Sequence, residues 1–424
     1  MEKNDYFIIR GGRKLQGEIQ VRGSKNATTP ILAATLLTKE PCTVSNIPLI
    51  EDVHRMLEII AGLGAKVEWV GERSVTITAG DIDPGRVDAE LVKRLRSSIL
   101  LLGSLSARAQ KFGFFHPGGC VIGKRPVGTH FDALEKMGVK VVGGGEKTYE
   151  IDARGKKSAK VVLREFSVTA TENAMMLAAS LEGETTIKIA AAEPHVEDLG
   201  RFLEKMGAKI EGLGTHTLKI TGSASLGGAV HEVIPDANEA ATFLIMGVAT
   251  KSPIRVRGAR EEHLDIVLEK LRQFGADFKV EADAIEVVPA QNLKAVEKID
   301  TRTYPGIPTD IQAPLGVLAS QAEGETLVFD TIFEGRFNYL SELEKMGAQV
   351  KVLNPHQAAI KGPSELKGSA IRSYDLRAGA SLIIAALCAR GETRIEEIYQ
   401  VDRGYERIEE RLAALGADIQ RINS

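Results

Sequence analysis

The chain has 424 residues, 26% of them charged and 43% hydrophobic, and its 54 Lys and Arg nearly balance its 57 Asp and Glu for a net charge of −3. That length implies two or three domains and at least two cores. The charge balance excludes a general basic footprint for nucleic acid or an anionic membrane, and apolar stretches such as 99–105 and 380–389 are too short to span a bilayer. The start, Met-Glu-Lys-Asn-Asp, lacks a basic-then-apolar leader. Three cysteines, at 42, 120 and 388, are too few and odd in number for a disulfide framework. Eight histidines show no pairing at metal-ligand spacing. The expectation is a cytoplasmic protein with no metal, no cofactor, no nucleic-acid partner and no membrane partner. A monomer is sufficient, and nothing in the sequence sets an oligomeric state.

An internal repeat organises the chain. Glycines 64, 138, 207, 275, 347 and 416 each follow an amphipathic run and precede a small residue, at a spacing of roughly 70 residues. In the first unit Val53, Met56, Leu57, Ile60 and Leu63 recur at helical period, Gly64 falls where a left-handed cap belongs, and residues 66–70 alternate as a strand. A more apolar helix precedes each amphipathic one, at 30–37, 98–103, 173–179, 241–247, 313–319 and 380–386. Helices apolar all round belong inside a core. Each unit therefore reads strand, buried helix, strand, outer helix, strand. Three units make a lobe, and the chain makes two similar α/β lobes. One spans residues 23–232 and carries a Cys loop at 112–126; the other joins 1–22 to 233–424.

Two loops per unit differ between units, and they carry the chemistry. The loop before the buried helix holds Lys25, Arg96, Asp310, Asp375 and Arg377, while the loop before the outer helix holds Cys120, Arg125, Arg336 and Arg403. Isolated cations on loops suit phosphate and carboxylate groups, so a small anionic substrate is expected. Gly118 to Lys124 has the spacing of a phosphate-binding loop, but Arg125 and Pro126 follow where a magnesium-holding Ser or Thr belongs. Cys120 sits among glycines with Lys124 and Arg125 beside it, as a reactive thiolate or an incidental surface thiol would. Cys42 and Cys388 lie among apolar residues and read as core fillers. Asp310 and Asp375 each precede a helix, so either a cap or a functional carboxylate fits. Arg403 between Asp402 and Glu406 fits a surface ion pair or a ligand contact.

These residues lie in motifs with a known pattern. They are Gly-Ser-Lys-Asn-Ala at 23–27, Leu-Arg-Ser-Ser-Ile at 95–99, Pro-Gly-Gly-Cys-Val-Ile-Gly-Lys-Arg-Pro at 117–126, Pro-Thr-Asp-Ile-Gln at 308–312, Phe-Glu-Gly-Arg-Phe at 333–337, Asp-Leu-Arg-Ala at 375–378 and Asp-Arg-Gly-Tyr-Glu-Arg at 402–407. In content and order they resemble the UDP-N-acetylglucosamine 1-carboxyvinyltransferases, the enolpyruvyl transferases of peptidoglycan synthesis. The resemblance implies an inside-out α/β barrel in each lobe, with the named loops lining a cleft that closes over substrates and residues 1–22 packed with the second lobe. It implies transfer of the enolpyruvyl group of phosphoenolpyruvate to the 3-hydroxyl of UDP-N-acetylglucosamine. That is the first committed step of peptidoglycan synthesis, with the cell shape, cell cycle and division roles that follow, and a target of the phosphonate epoxide fosfomycin.

By the same resemblance Lys25, Arg125 and Arg403 hold phosphoenolpyruvate, with Asn26 beside them. Asn26, Arg96, Arg125, Pro126, Val127, Gly128, Thr129, Ser167, Val168, Asp310 and Ile332 contact the UDP-sugar. Arg336, Asp375 and Arg377 order the closed site. Asp310 takes the proton of the sugar 3-hydroxyl, and Cys120 delivers a proton to the phosphoenolpyruvate methylene or traps it covalently. The chain departs from the pattern at Glu165, where the family usually has Lys, and at Gly128 and Thr129, where it usually has Asp-Leu; weaker nucleotide binding is the expectation. The rival readings are the shikimate-pathway enolpyruvyl transferase, which shares the repeat but not the Cys loop, and a non-catalytic sensor of UDP-sugars.

Overall fold

The computed structural model describes residues 5–118, 122–123, 125–143 and 148–423. Its contacts divide the chain into two compact units. The terminal unit comprises Met1–Arg22, Cys120–Lys124 and Pro235–Ser424; the central unit comprises Gly23–Gly119 and Arg125–Ile234. Each has its own apolar core, one running from Ala27 to Val233 and the other joining Phe7–Val21 to Ala240–Ile419.

In the terminal unit the helices Ala237–Ala249, Gln312–Gln321 and Leu376–Cys388 pack on one another and are buried over almost their whole length. In the central unit Lys25–Ala34, Leu101–Arg108 and Val168–Ala179 take the same places. Past their first turns their side chains are apolar almost all round, which suits the inside of a core. The helices ahead of the repeated glycines are amphipathic, as in Pro194–Lys205, where Val196, Leu199, Phe202 and Leu203 are buried and Arg201, Glu204 and Lys205 are not. The sheets cover the helices and keep one face wet; Thr185 and Ile187 of Glu184–Lys188 point inward while Glu184 and Lys188 are exposed. Helices inside and sheets outside is the inside-out arrangement expected.

The six repeated glycines all have φ between +82° and +113°. An L side chain is strained there, which is why the residue after each amphipathic helix is Gly. Where the repeat pattern anticipates one strand after this turn, the structure has two, paired antiparallel. Lys66–Gly71 and Ser74–Thr78 form such a hairpin, with Val67 opposite Ile77. The second strand inserts between the first and the strand that leaves the buried helix, giving sheet orders such as Lys160–Val162, Glu184–Lys188, Thr217–Thr221, Lys209–Glu211.

Several sheets draw strands from far along the chain. Val230–Glu232 runs parallel to Cys42–Ser45 and closes the central unit on itself. Gly17–Gln20 runs parallel to Ile254–Arg257, and Tyr6–Arg10 lies between Glu392–Glu396 and Asp418–Ile422. Among the described residues no helix is long and apolar enough to cross a membrane, and no group of three or more His, Cys, Asp or Glu is placed to hold a metal ion.

Candidate active site

In the terminal unit the site is built around Asp310. Pro308 precedes a 3₁₀ turn, Thr309–Ile311, that leads into the buried helix Gln312–Gln321, and neither start is capped by a side chain. Asp310 is therefore not a helix cap. Its two oxygens are held separately: Arg336 Nη2 donates to Oδ1 at 2.7 Å and Arg377 Nε donates to Oδ2 at 3.1 Å. Both arginines are nearly sequestered, at 7% and 2% exposure, whereas the Asp310 side chain keeps 24%. Two guanidinium groups, one on each oxygen, thus fix the orientation of this carboxyl group while it stays partly open to solvent.

Asp375 does cap. It accepts from the backbone N–H of Arg377 at 2.8 Å and of Ala378 at 3.0 Å, and so fixes the first turn from which Arg377 projects. It also lies 3.7 Å from Arg336. Arg377 reaches further, to the Tyr405 hydroxyl at 3.1 Å, which bonds in turn to Thr242 at 2.9 Å. Burial opposes the Arg377 charge, but Tyr405, Asp310 and Asp236 outweigh it and its pKa is raised. Arg403 ends the short helix Tyr399–Asp402, two residues before Tyr405, and donates to Gln400 at 3.1 Å. Ile332 is held by its backbone: its N–H and that of Phe333 both donate to Asp330 Oδ1 at 3.0 Å. Nothing in the sequence pattern singles out Tyr405 as a partner of Arg377, or Asp330 at all.

In the central unit Ser24 caps the helix Lys25–Ala34 by accepting from Ala27 N–H at 3.3 Å, which sets Lys25 and Asn26 in the first turn. Lys25 Nζ lies 2.8 Å from the buried Asp52, a pairing that only the fold reveals. The turn Arg96–Leu100 packs against the helices that begin at Lys25 and Val168. Arg96 Nη2 donates to the Arg125 carbonyl at 2.6 Å. Burial and the neighbouring Arg125 charge push the Arg96 pKa down to about 10.

Behind them His130 is buried; its Nε2 meets Thr169 Oγ1 at 3.1 Å while its Nδ1 has no hydrogen-bond partner among the described residues. Burial, reinforced by Arg96, pushes its pKa down to about 3, so the ring is neutral. Pro126 and Gly128 are exposed and Val127 and Thr129 buried. Ser167 caps the helix Val168–Ala179, accepting from Ala170 N–H at 3.4 Å. Glu165, two residues earlier, accepts from the Thr129 hydroxyl at 2.6 Å. Within the same unit Glu172 is wholly buried, and burial followed by the Glu193 charge raises its pKa well above the usual carboxylate range.

The structure thus brings Asp310, Arg336, Asp375 and Arg377 into one network, and sets Lys25, Asn26, Arg96 and Ser167 at the starts of mutually packed elements. Cys120 and Lys124 lie outside the described residues. The other two thiols are poor nucleophiles: burial raises the pKa of Cys42 and pushes that of Cys388 up to about 12.

Residues 9–412 match the family model described as EPSP synthase (3-phosphoshikimate 1-carboxyvinyltransferase). The chain is 43% identical over 422 residues to a UDP-N-acetylglucosamine 1-carboxyvinyltransferase of Koribacter versatilis, covering 99% of this chain and 96% of the relative. It is 44% identical over 425 residues to UDP-N-acetylglucosamine 1-carboxyvinyltransferase 1 of Carboxydothermus hydrogenoformans, covering 100% and 99%. The chain belongs to this family of enolpyruvyl transferases. Among solved structures, the enolpyruvyl transferase NikO of Streptomyces tendae superposes with a TM-score of 0.90 at 26% identity, covering all of both chains. An EPSP synthase of Acinetobacter baumannii does so at 0.74 with 21% identity over 99% of this chain and 100% of that one, which is a likeness of fold. The fold is thus common to these enolpyruvyl transferases, and the relatives of 43–44% identity over essentially the full length carry the UDP-sugar name.

Proposed function

We propose that this enzyme transfers the enolpyruvyl group of phosphoenolpyruvate to the 3-hydroxyl of UDP-N-acetylglucosamine and releases phosphate. The full-length likeness to transferases of that name supports the acceptor. The observation that carries the chemistry is Asp310, a partly open carboxylate held at both oxygens by Arg336 and Arg377.

The reaction needs an acid and a base of different kinds. A proton added to the phosphoenolpyruvate methylene makes the adjoining carbon electrophilic. The sugar 3-hydroxyl adds there as Asp310 takes its proton. Phosphate then leaves as the new methyl returns one proton, so the double bond is restored and the sugar carries an enol ether. Cys120 is the proposed acid at the methylene. Lys25, Arg125 and Arg403, with Asn26, bind phosphoenolpyruvate and stabilise the departing phosphate, the place where charge concentrates. Arg96, the 125–129 stretch, Ser167, Val168 and Ile332 bind the UDP-sugar, and Asp375, Arg336 and Arg377 hold Asp310 in register.

Phosphate release from phosphoenolpyruvate tests the reading, with UDP-N-acetylglucosamine and shikimate 3-phosphate offered separately. Release with the first acceptor is expected. Release with only the second would assign the chain to the shikimate reaction, and UDP-sugar binding without release would make it a sensor.

A further inference from the structure

We infer that Asp330, by way of Thr309, is a positioning residue for the base Asp310, an inference that rests on the proposed function. Asp330 ends the strand Gly324–Asp330 and is fully buried. Its Oδ2 accepts from the Thr309 hydroxyl at 2.6 Å, and its Oδ1 accepts from the backbone N–H groups of Ile332 and Phe333 at 3.0 Å each. One carboxylate therefore ties together two segments that the chain keeps apart. The first is the turn Thr309–Ile311, which carries Asp310; the second is the stretch that leads through Phe333 to Arg336, which grips Asp310 from the other side. The backbone of Asp330 is fixed as well: its N–H donates to the His356 carbonyl at 3.0 Å, and its carbonyl meets His356 Nδ1 at 2.6 Å.

The contacts explain how a carboxyl group is accommodated in so dry a place. Burying an acid costs free energy unless its oxygens are met by donors. Here three donors meet it, so the Thr309 hydroxyl and two backbone N–H groups hold both segments to one side chain. The turn is short and has no side-chain cap of its own. Loss of the Thr309 tether loosens the turn, and a general base displaced by about 1 Å can lose roughly 10²-fold in rate.

Thr309→Val removes the tether and keeps the shape, while Thr309→Ser keeps the hydroxyl. Asp330→Asn is a second probe, because its amide oxygen can accept from both N–H groups while its nitrogen donates to the Thr309 hydroxyl. Phosphate release and thermal unfolding of the full chain are measured for each. Thr309→Val is expected to lower kcat about 10-fold or more by misplacing the base, with KM for the UDP-sugar little changed and the unfolding midpoint lowered modestly, because a buried Asp330 oxygen loses its donor. Thr309→Ser and Asp330→Asn should restore most of the rate. Turnover of Thr309→Val within about twofold of the parent, or Thr309→Ser as impaired as Thr309→Val, would overturn the inference. A parent enzyme inactive with UDP-N-acetylglucosamine would instead strike the proposed function, so the two failures are distinct.

Discussion

The Thr129 hydroxyl donates to the Glu165 carboxylate at 2.6 Å. The motif resemblance expects other residues at both positions, and the two side chains touch. Glu165 is exposed, so its charge still reaches the space in front of Ser167 and Val168. Glu165→Gln keeps an acceptor for Thr129 and removes the charge. KM for the UDP-sugar should fall about two- to fivefold at low ionic strength, with kcat unchanged, and the gain should fade as salt rises. An unchanged KM at low salt would show that Glu165 serves only to hold the 125–129 stretch.

Asp310→Asn tests the base directly. There is no helix for it to cap, and an amide keeps one oxygen for Arg336 or Arg377. Turnover should fall by roughly 10²–10⁴-fold, while UDP-sugar binding falls far less. Near-parental kcat would send the search for a base elsewhere.

Alkylation should be selective among the three thiols. Cys42 and Cys388 are disfavoured as thiolates by their burial. Fosfomycin, or iodoacetamide near neutral pH, should label Cys120 and leave the other two intact in the folded protein. Peptide mass mapping reads this out; early modification of Cys42 or Cys388 would contradict it.

Glu172 gives a stability test with a definite sign. Burial and Glu193 raise its folded pKa, so the folded chain keeps a proton that the unfolded chain releases. Its contribution is favourable below the unfolded carboxylate pKa, about 4.3, and is lost as pH climbs from there toward the folded value. Glu172→Gln is neutral at every pH. Urea unfolding should therefore show the variant gaining on the parent between pH 5 and pH 8. Parallel stability profiles would mean that Glu172 is charged in the folded protein.

Much of the fold is legible in the sequence because its signals are local. A glycine that must take positive φ, as Gly207 and Gly347 do, can be found from the helix before it and the strand after it. The buried helices declare themselves by having no polar face. The long-range pairings leave no such mark. Val230–Glu232 is three residues long and two of them are exposed, so nothing distinguishes it from a loop until Cys42–Ser45 is found beside it. The return strands of the hairpins are hidden for a similar reason, since their register depends on a partner. The site divides the same way. Arg336, Arg377 and Asp310 sit in motifs, but Asp52 and Asp330 stand in unremarkable sequence, and only their burial against specific donors reveals them.

The closure of the central unit bears on how the chain emerges from the ribosome. Ser24 N–H bonds to the Ile234 carbonyl at 2.8 Å, so this unit begins and ends at the same spot and can fold once residue 234 is out. The first two strands have no such opportunity. Gly17–Gln20 waits for Ile254–Arg257, and Tyr6–Arg10 waits for Glu392–Glu396 and Asp418–Ile422. The strands ahead of the central unit thus find their partners only after that unit has been made, and until Glu392–Glu396 emerges Tyr6–Arg10 is an unpaired edge of the kind that invites association between chains.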